Sequence, residues 1–165
     1  MPDSLSATRR RLMTGIAAAG VAVVAGGLAT ACAAAVAKPV PMTVHKDPNC
    51  GCCTAWAERM RADGRFAPTL VDDGDMAAVK ARLRVPPELA SCHTTEVSGY
   101  VIEGHVPAGD VARLLAEKPA GVIGLAVPGM PAGSPGMEMP DGRRDPYEVF
   151  AFGADGRASV FARHA

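Results

Sequence analysis

The sequence predicts an α/β domain, and three observations carry that prediction. Short strand-like stretches alternate with helical spacing from residue 42 onward. A Cys-x-x-Cys, Cys50 to Cys53, stands where the first helix begins. The chain closes on two strand-like stretches around a turn.

Met42-Thr43-Val44-His45 predicts the first strand, and Asp47-Pro48-Asn49 is loop and cap chemistry that starts a helix near Cys50 or Gly51. Ala55, Trp56 and Met60, joined by Cys52, share helical spacing up to the stop at Asp63-Gly64. Ala67 to Val71 predicts a second strand. Asp75 to Arg84 predicts a second helix, with Met76, Val79 and Leu83 on one side and Pro86-Pro87 as its end. A polar loop, Leu89 to Thr95, leads to a third strand at Gly99 to Glu103, and Gly109 to Lys118 predicts a third helix buried through Val111, Leu114 and Leu115. Pro146 to Phe152 and Arg157 to Ala162, joined by Ala154-Asp155-Gly156, predict a terminal β-hairpin. Strand, Cys-x-x-Cys at a helix start, second β-α unit, then a strand after a polar loop is the order of a thioredoxin-like domain. Here it would carry a C-terminal Met-rich loop and the β-hairpin.

Residues 1–37 differ in kind. Thr8-Arg9-Arg10-Arg11-Leu12-Met13 precedes a run from Ile16 to Ala37 made almost wholly of Ala, Val, Gly and Leu, and Ala35-Val36-Ala37 offers an A-x-A cleavage site before Lys38. This is the pattern of an export signal, and the paired arginines suit the twin-arginine route. The run of roughly 20 residues also has the length of a membrane span, but its Ala and Gly content makes it weakly hydrophobic. Cys32 raises the alternative of a lipidated N-terminus, although no large aliphatic residue lies three positions before it. The expected arrangement is a signal over 1–37 and a domain over 38–165, exported to the periplasm or tethered to its membrane. Charged residues are balanced at 17 and 17 overall, and losing Arg9, Arg10, Arg11 and Asp3 leaves two more acids than bases. That balance gives no electrostatic footprint for nucleic acid.

Four of the five cysteines lie in the domain, three of them at Cys50, Cys52 and Cys53. In a thioredoxin-like arrangement the loop before the third strand lies against the start of the first helix, so Cys92 and His93 would arrive beside that group. A helix N-terminus favours thiolate, as nucleophile and as metal ligand alike. Two readings follow: a Cys50/Cys53 dithiol–disulfide couple, or a soft-metal site using all four thiols. Structural zinc sites take two ligands from each of two arms, which this spacing does not supply. Adjacent thiolates able to bridge more than one ion suit copper(I). Met130, Met137 and Met139 add thioethers in a stretch too rich in Gly and Pro for regular structure, and thioether is a copper ligand rather than a zinc one. His93 and His105 are candidate ligands, His45 a candidate outer-shell residue, and His164, next to the C-terminus, is expected to be solvated.

Four blocks in order, Asp47 to Trp56, Ser91-Cys92-His93-Thr94, Gly99 to Pro107 and Gly124 to Glu138, resemble the CopG family of exported copper-resistance proteins. The likeness runs over nearly all of 38–165. It implies a thioredoxin-like fold, a cysteine-bridged copper cluster on Cys50, Cys52, Cys53 and Cys92, and a periplasmic role in copper handling alongside other copper-handling proteins. The mechanism expected from the donor set is that the thiolates hold copper(I), as a multinuclear cluster, with His93, His105, Met130 and Met137 completing or gating it, so that the protein buffers copper or passes it on. Cycling between cuprous and cupric copper is compatible with such a mixed donor set. The competing classes are a periplasmic thiol–disulfide oxidoreductase using Cys50 and Cys53 and a zinc-stabilised interaction module.

Overall fold

The computed structural model describes Lys38 to Ala165. The expected signal, its membrane-anchor alternative and Cys32 lie outside the described residues.

β1 (Val40–Lys46) sends Met42 and Val44 into the core and leads into α1 (Gly51–Asp63), which packs Cys53, Trp56, Ala57 and Met60 inward. Gly64, at φ 83°, closes α1 in the left-handed conformation that a side chain disfavours. β2 (Phe66–Asp72) returns parallel to β1, and α2 (Met76–Arg82) is capped by the Asp75 carboxylate, which accepts from the Ala78 N–H at 2.9 Å. A 3₁₀ turn (Pro87–Leu89) precedes β3 (His93–Val97) and β4 (Tyr100–Glu103), followed by α3 (Ala108–Glu117), β5 (Val122–Ala126), β6 (Tyr147–Gly153) and β7 (Ala158–His164). All seven strands form one sheet in the order β2-β1-β3-β4-β5-β6-β7. β1 and β2 are parallel, as are β4 and β5, and every other neighbouring pair is antiparallel.

Alternation along the strands divides the core in two. Ile102, Leu125 and Ala151 face one side of the sheet with Trp56, Met60, Val111 and Leu114, whereas Val101, Ala126 and Phe152 face the other with Val85 and Leu89. The first layer is the larger, and each fully buried large apolar side chain in it contributes about 1.5–3 kcal/mol.

Several expectations are corrected. The loop expected to run to Thr95 ends at Cys92, because His93 to Val97 is a strand paired with β1 and β4. Its Thr-Thr-Glu run is too polar to read as a buried strand from sequence, yet Thr94 and Thr95 are fully buried. The strand expected at Gly99 is therefore the fourth, entered through a two-residue turn in which Ser98 and Gly99 both have positive φ. β5 was not expected at all. Its Gly124 packs so closely on the Val101 carbonyl and the Phe152 ring that a side chain has no room. On α1 it is Cys53, three residues before Trp56 and seven before Met60, that turns inward, while Cys52 is only half-buried. His164 is not simply solvated: its Nε2 lies 2.6 Å from Asp110 Oδ2, and its ring stacks on Tyr147 at 5.1 Å. Burial and the nearby Asp110 charge push the Tyr147 hydroxyl up to about 12.

Candidate metal centre

Strand direction gathers the chemistry at one end of the sheet. Lys46 pairs with His93, Thr94 with Glu103 and Glu103 with Ala126, so β1, β4 and β5 end where β3 begins. The segments that continue from those ends carry Cys50, Cys92, His105 and Met130.

The first arm is local. Asp47 Oδ1 accepts the Asn49 N–H at 2.8 Å, and the Asp47 carbonyl accepts the Cys50 N–H at 2.9 Å. The buried ammonium of Lys46 donates to the carbonyls of Asp47 and Pro48 at 2.8 and 3.2 Å, so the turn before the cysteines is tied down from below. Cys50 is the N-cap residue of α1 and is joined to Cys53 by a disulfide across one helical turn, with Cα atoms 5.5 Å apart. Cys52 remains a free thiol, its Sγ 3.5 Å from Cys50 Sγ.

The second arm is delivered by the sheet. Cys92, the other free thiol, brings its Sγ to 3.9 Å from Cys52 Sγ, 3.3 Å from His93 Nδ1 and 3.0 Å from His105 Nε2. The sulfurs of Cys50, Cys52, Cys53 and Cys92 all lie within 4.8 Å of one another, and Cys92, His93 and His105 form a second set within the same limit. Cys92 belongs to both. His105 Nδ1 lies 2.8 Å from the Pro135 carbonyl, which can only accept, so the proton sits on Nδ1 and the Nε2 lone pair faces Cys92. His93 is fully buried between the Trp56 and His105 rings, with Nε2 making no hydrogen bond.

Burial sets the electrostatics of this arm. It pushes the Cys92 thiol up to about 12, with the Cys52 charge adding to the effect. It holds His93 well below the usual imidazole range, assisted by His105 and Lys80, and lowers His105 against the opposing pull of the Pro135 carbonyl and Glu138. Both imidazoles are thus neutral and able to ligate near pH 7, whereas Cys92 keeps its proton until a cation displaces it.

The Met-rich loop is docked rather than trailing. Gly136, at φ +84°, lies so close to the Trp56 backbone that an added Cβ would sit 2.6 Å from its nitrogen. Arg59 and Glu138 pair at 2.8 Å beside it. Met130 Sδ stands 3.9 Å from Cys52 Sγ, and the side chain is 52% exposed. Met137, half-buried, makes backbone bonds to Gly133 and Ser134 and no sulfur contact with the cluster thiols, and Met139 is exposed. The structure therefore brings together Cys50, Cys52, Cys53, Cys92, His93, His105 and Met130, while Met137 lies on the same docked loop without a sulfur hydrogen-bond contact to these thiols. His45 is no outer-shell residue: its ring nitrogens face Glu96 at 3.1 Å and Asp73 at 3.6 Å.

A buried polar group that the sequence motifs do not reveal lies next to the site. Glu103, fully buried, accepts from Lys80 Nζ and the Ser91 N–H at 2.6 Å each and from Thr94 Oγ1 at 2.7 Å. Burial raises its pKa while Lys80 opposes that rise. A carboxylate closing the apolar run Tyr-Val-Ile was the available signal.

Fold and site together define an α/β protein with a cysteine-rich cluster capable of holding metal. A family model described as a protein of unknown function, DUF411, matches residues 89–137, which include Cys92, both imidazoles and the Met-rich loop to Met137. Two solved structures of copper resistance protein CopG are similar along most of the chain. Form 1 is 48% identical with a TM-score of 0.71, over 76% of this chain and 98% of that one. Form 2 is 47% identical with a TM-score of 0.72, over 77% and 99%. This chain belongs to the CopG family. Among curated proteins none matches.

Proposed function

We propose that this protein binds copper(I) through the thiolates of Cys50, Cys52, Cys53 and Cys92 and serves copper resistance. The observation that carries the reading is the convergence of four sulfurs within 4.8 Å, one of them shared with a two-histidine group. An external dithiol that is itself oxidised to a disulfide would reduce the Cys50–Cys53 bond, passing two electrons and two protons to the two sulfurs and so supplying the two further thiols. Four thiolates so close repel one another unless cations lie among them, and soft monovalent copper bridged by sulfur meets that need. More than one ion per chain is the expected load.

His105 and His93 offer neutral nitrogen to the Cys92 side, which suits cupric copper, while the thiolates suit cuprous copper. The mixed donor set supports cycling between the two states. Met130, exposed and beside Cys52, would receive or release the ion, and Met137, on the same docked loop, is a further thioether donor in this reading. In this reading the domain is thioredoxin-like: β2-β1-β3-β4 with β3 opposed to the others, and Cys-x-x-Cys at the start of α1, support it. The twin-arginine-like segment at 1–37 supports export to the periplasm, where other copper-handling proteins would be its partners.

The test is an anaerobic copper(I) titration of the reduced protein, with bound metal counted by elemental analysis. More than one copper per chain, falling when Cys52 or Cys92 is replaced by serine, is expected. One copper or none, indifferent to C52S, would remove the cluster. A second reading, thiol–disulfide exchange by Cys50 and Cys53, is favoured by their disulfide at a helix N-terminus. Robust insulin reduction by the metal-free protein would support it.

A further inference from the structure

Cys92 has no regular structure holding it from the N-terminal side. It follows the 3₁₀ turn and Ala90-Ser91 and immediately precedes β3. Its place between Cys52 and His105 nonetheless requires a defined backbone, and one buried side chain supplies the connection. Glu103 Oε1 accepts the N–H of Ser91, the residue before Cys92, at 2.6 Å. The same oxygen takes a proton donor from Lys80 Nζ at 2.6 Å, and Oε2 accepts from Thr94 Oγ1 at 2.7 Å. Lys80 Nζ also donates to Thr94 Oγ1 at 2.9 Å, which closes a ring of three side chains under the loop.

The backbone of Glu103 extends the connection to the other donors. Its carbonyl accepts the Val127 N–H at 3.0 Å, three residues before Met130, and Gly104 N–H donates to the His93 carbonyl at 2.9 Å, one residue before His105. Ser91 itself donates its hydroxyl to the Gly129 carbonyl, linking the Cys92 loop to the Met130 segment. A carboxylate with two oxygens and several acceptor sites can satisfy three donors at once. It is an expensive group to bury without such partners, and a hydrophobic residue would fill the same volume without holding Ser91.

We propose that Glu103 is the positioning residue of the metal centre: its carboxylate, clamped by Lys80 and Thr94, holds the Ser91 N–H and thereby sets Cys92 Sγ between Cys52 and His105. The proposal rests on the copper reading for its consequence, namely that losing the acceptor costs Cys92's share of metal binding, but its geometry is read without metal.

The experiment compares two full-length double variants that remove the buried charge pair together. K80M/E103Q keeps an amide oxygen for Ser91, and K80M/E103L does not. Both are measured for melting temperature, for alkylation of Cys92 by iodoacetamide in the reduced metal-free protein, and for copper(I) affinity by chelator competition. The Gln pair is expected to stay within about threefold of the parent in both site readouts, and the Leu pair to alkylate Cys92 and release copper at least about tenfold more readily at a comparable melting temperature, a difference worth about 1.4 kcal/mol. Equal behaviour of the two pairs overturns the proposal. Should the Leu pair not fold, amide exchange in the parent decides: the Ser91 N–H is expected to exchange only through global unfolding, and exchange at the rate of an open loop overturns it. If C92S leaves copper binding intact, the copper reading fails, while alkylation and exchange still decide the role of Glu103.

Discussion

The two arms of the candidate metal centre are built on opposite plans. The Cys50–Cys53 arm is local, half-exposed, and held by turn geometry and a helix start, with only Cys53 fully buried. The Cys92–His93–His105 arm is assembled from two sheet ends, with both imidazoles fully buried and Cys92 half-buried. The difference teaches a division of labour. The exposed arm leaves the Cys52 thiol half-open to solvent and beside Met130, while the buried arm presents donors whose protonation is already decided by desolvation.

The comparison breaks most completely if the wall between the arms is removed. Trp56 stands on α1 with the cysteines, packs its ring 4.5 Å from His93, and donates Nε1–H to the Val106 carbonyl at 2.9 Å. W56A should cost about 3–5 kcal/mol in denaturant unfolding, and both arms should lose metal together. Retained stability would show that the arms do not share a core.

Acid sharpens the contrast. Burial holds the folded pKa values of His93 and His105 below the ordinary imidazole value of 6.5, so the unfolded chain binds more protons as pH falls through 6.5. Stability of the metal-free protein is therefore fully present above that value and lost below it, by up to about 1.4 kcal/mol per pH unit for each histidine, down to its folded pKa. Denaturant curves from pH 7.5 to 5 should show this slope, and H93F should reduce it. An unchanged slope would mean that His93 already takes up its proton in the folded state.

A third measurement asks whether the Met-rich loop serves the buried arm. G136A forces a side chain onto the Trp56 backbone in a left-handed conformation, a cost of about 1–2 kcal/mol from the backbone alone. Displacing the loop also takes the Pro135 carbonyl from His105 Nδ1. The His105 ring resonances in NMR should shift, and a spectrum identical to the parent's would detach the loop from the arm. Smallest is R59A, which breaks the exposed pair with Glu138. It should change stability by less than about 1 kcal/mol, with copper stoichiometry unchanged.

Much of this molecule is legible without coordinates. Cys50, Cys52 and Cys53 are neighbours on any backbone, so a thiol cluster at a helix start follows from sequence alone. The helices follow from apolar spacing, and the hairpin from Ala154-Asp155-Gly156 between two alternating runs. The family likeness also resides in local motifs. Tertiary structure alone decided the rest, because it depends on pairing across distance. β3 is polar and β5 glycine-interrupted, and both are strands because neighbours on each side satisfy their backbones. Which helical cysteine turns inward and the turning of His45 toward Glu96 follow from packing angles that composition does not encode. Glu103 is the clearest case. In sequence it is one acidic residue after three apolar ones, and only the meeting of β4 with Lys80, Ser91 and Thr94 makes burying a carboxylate there favourable.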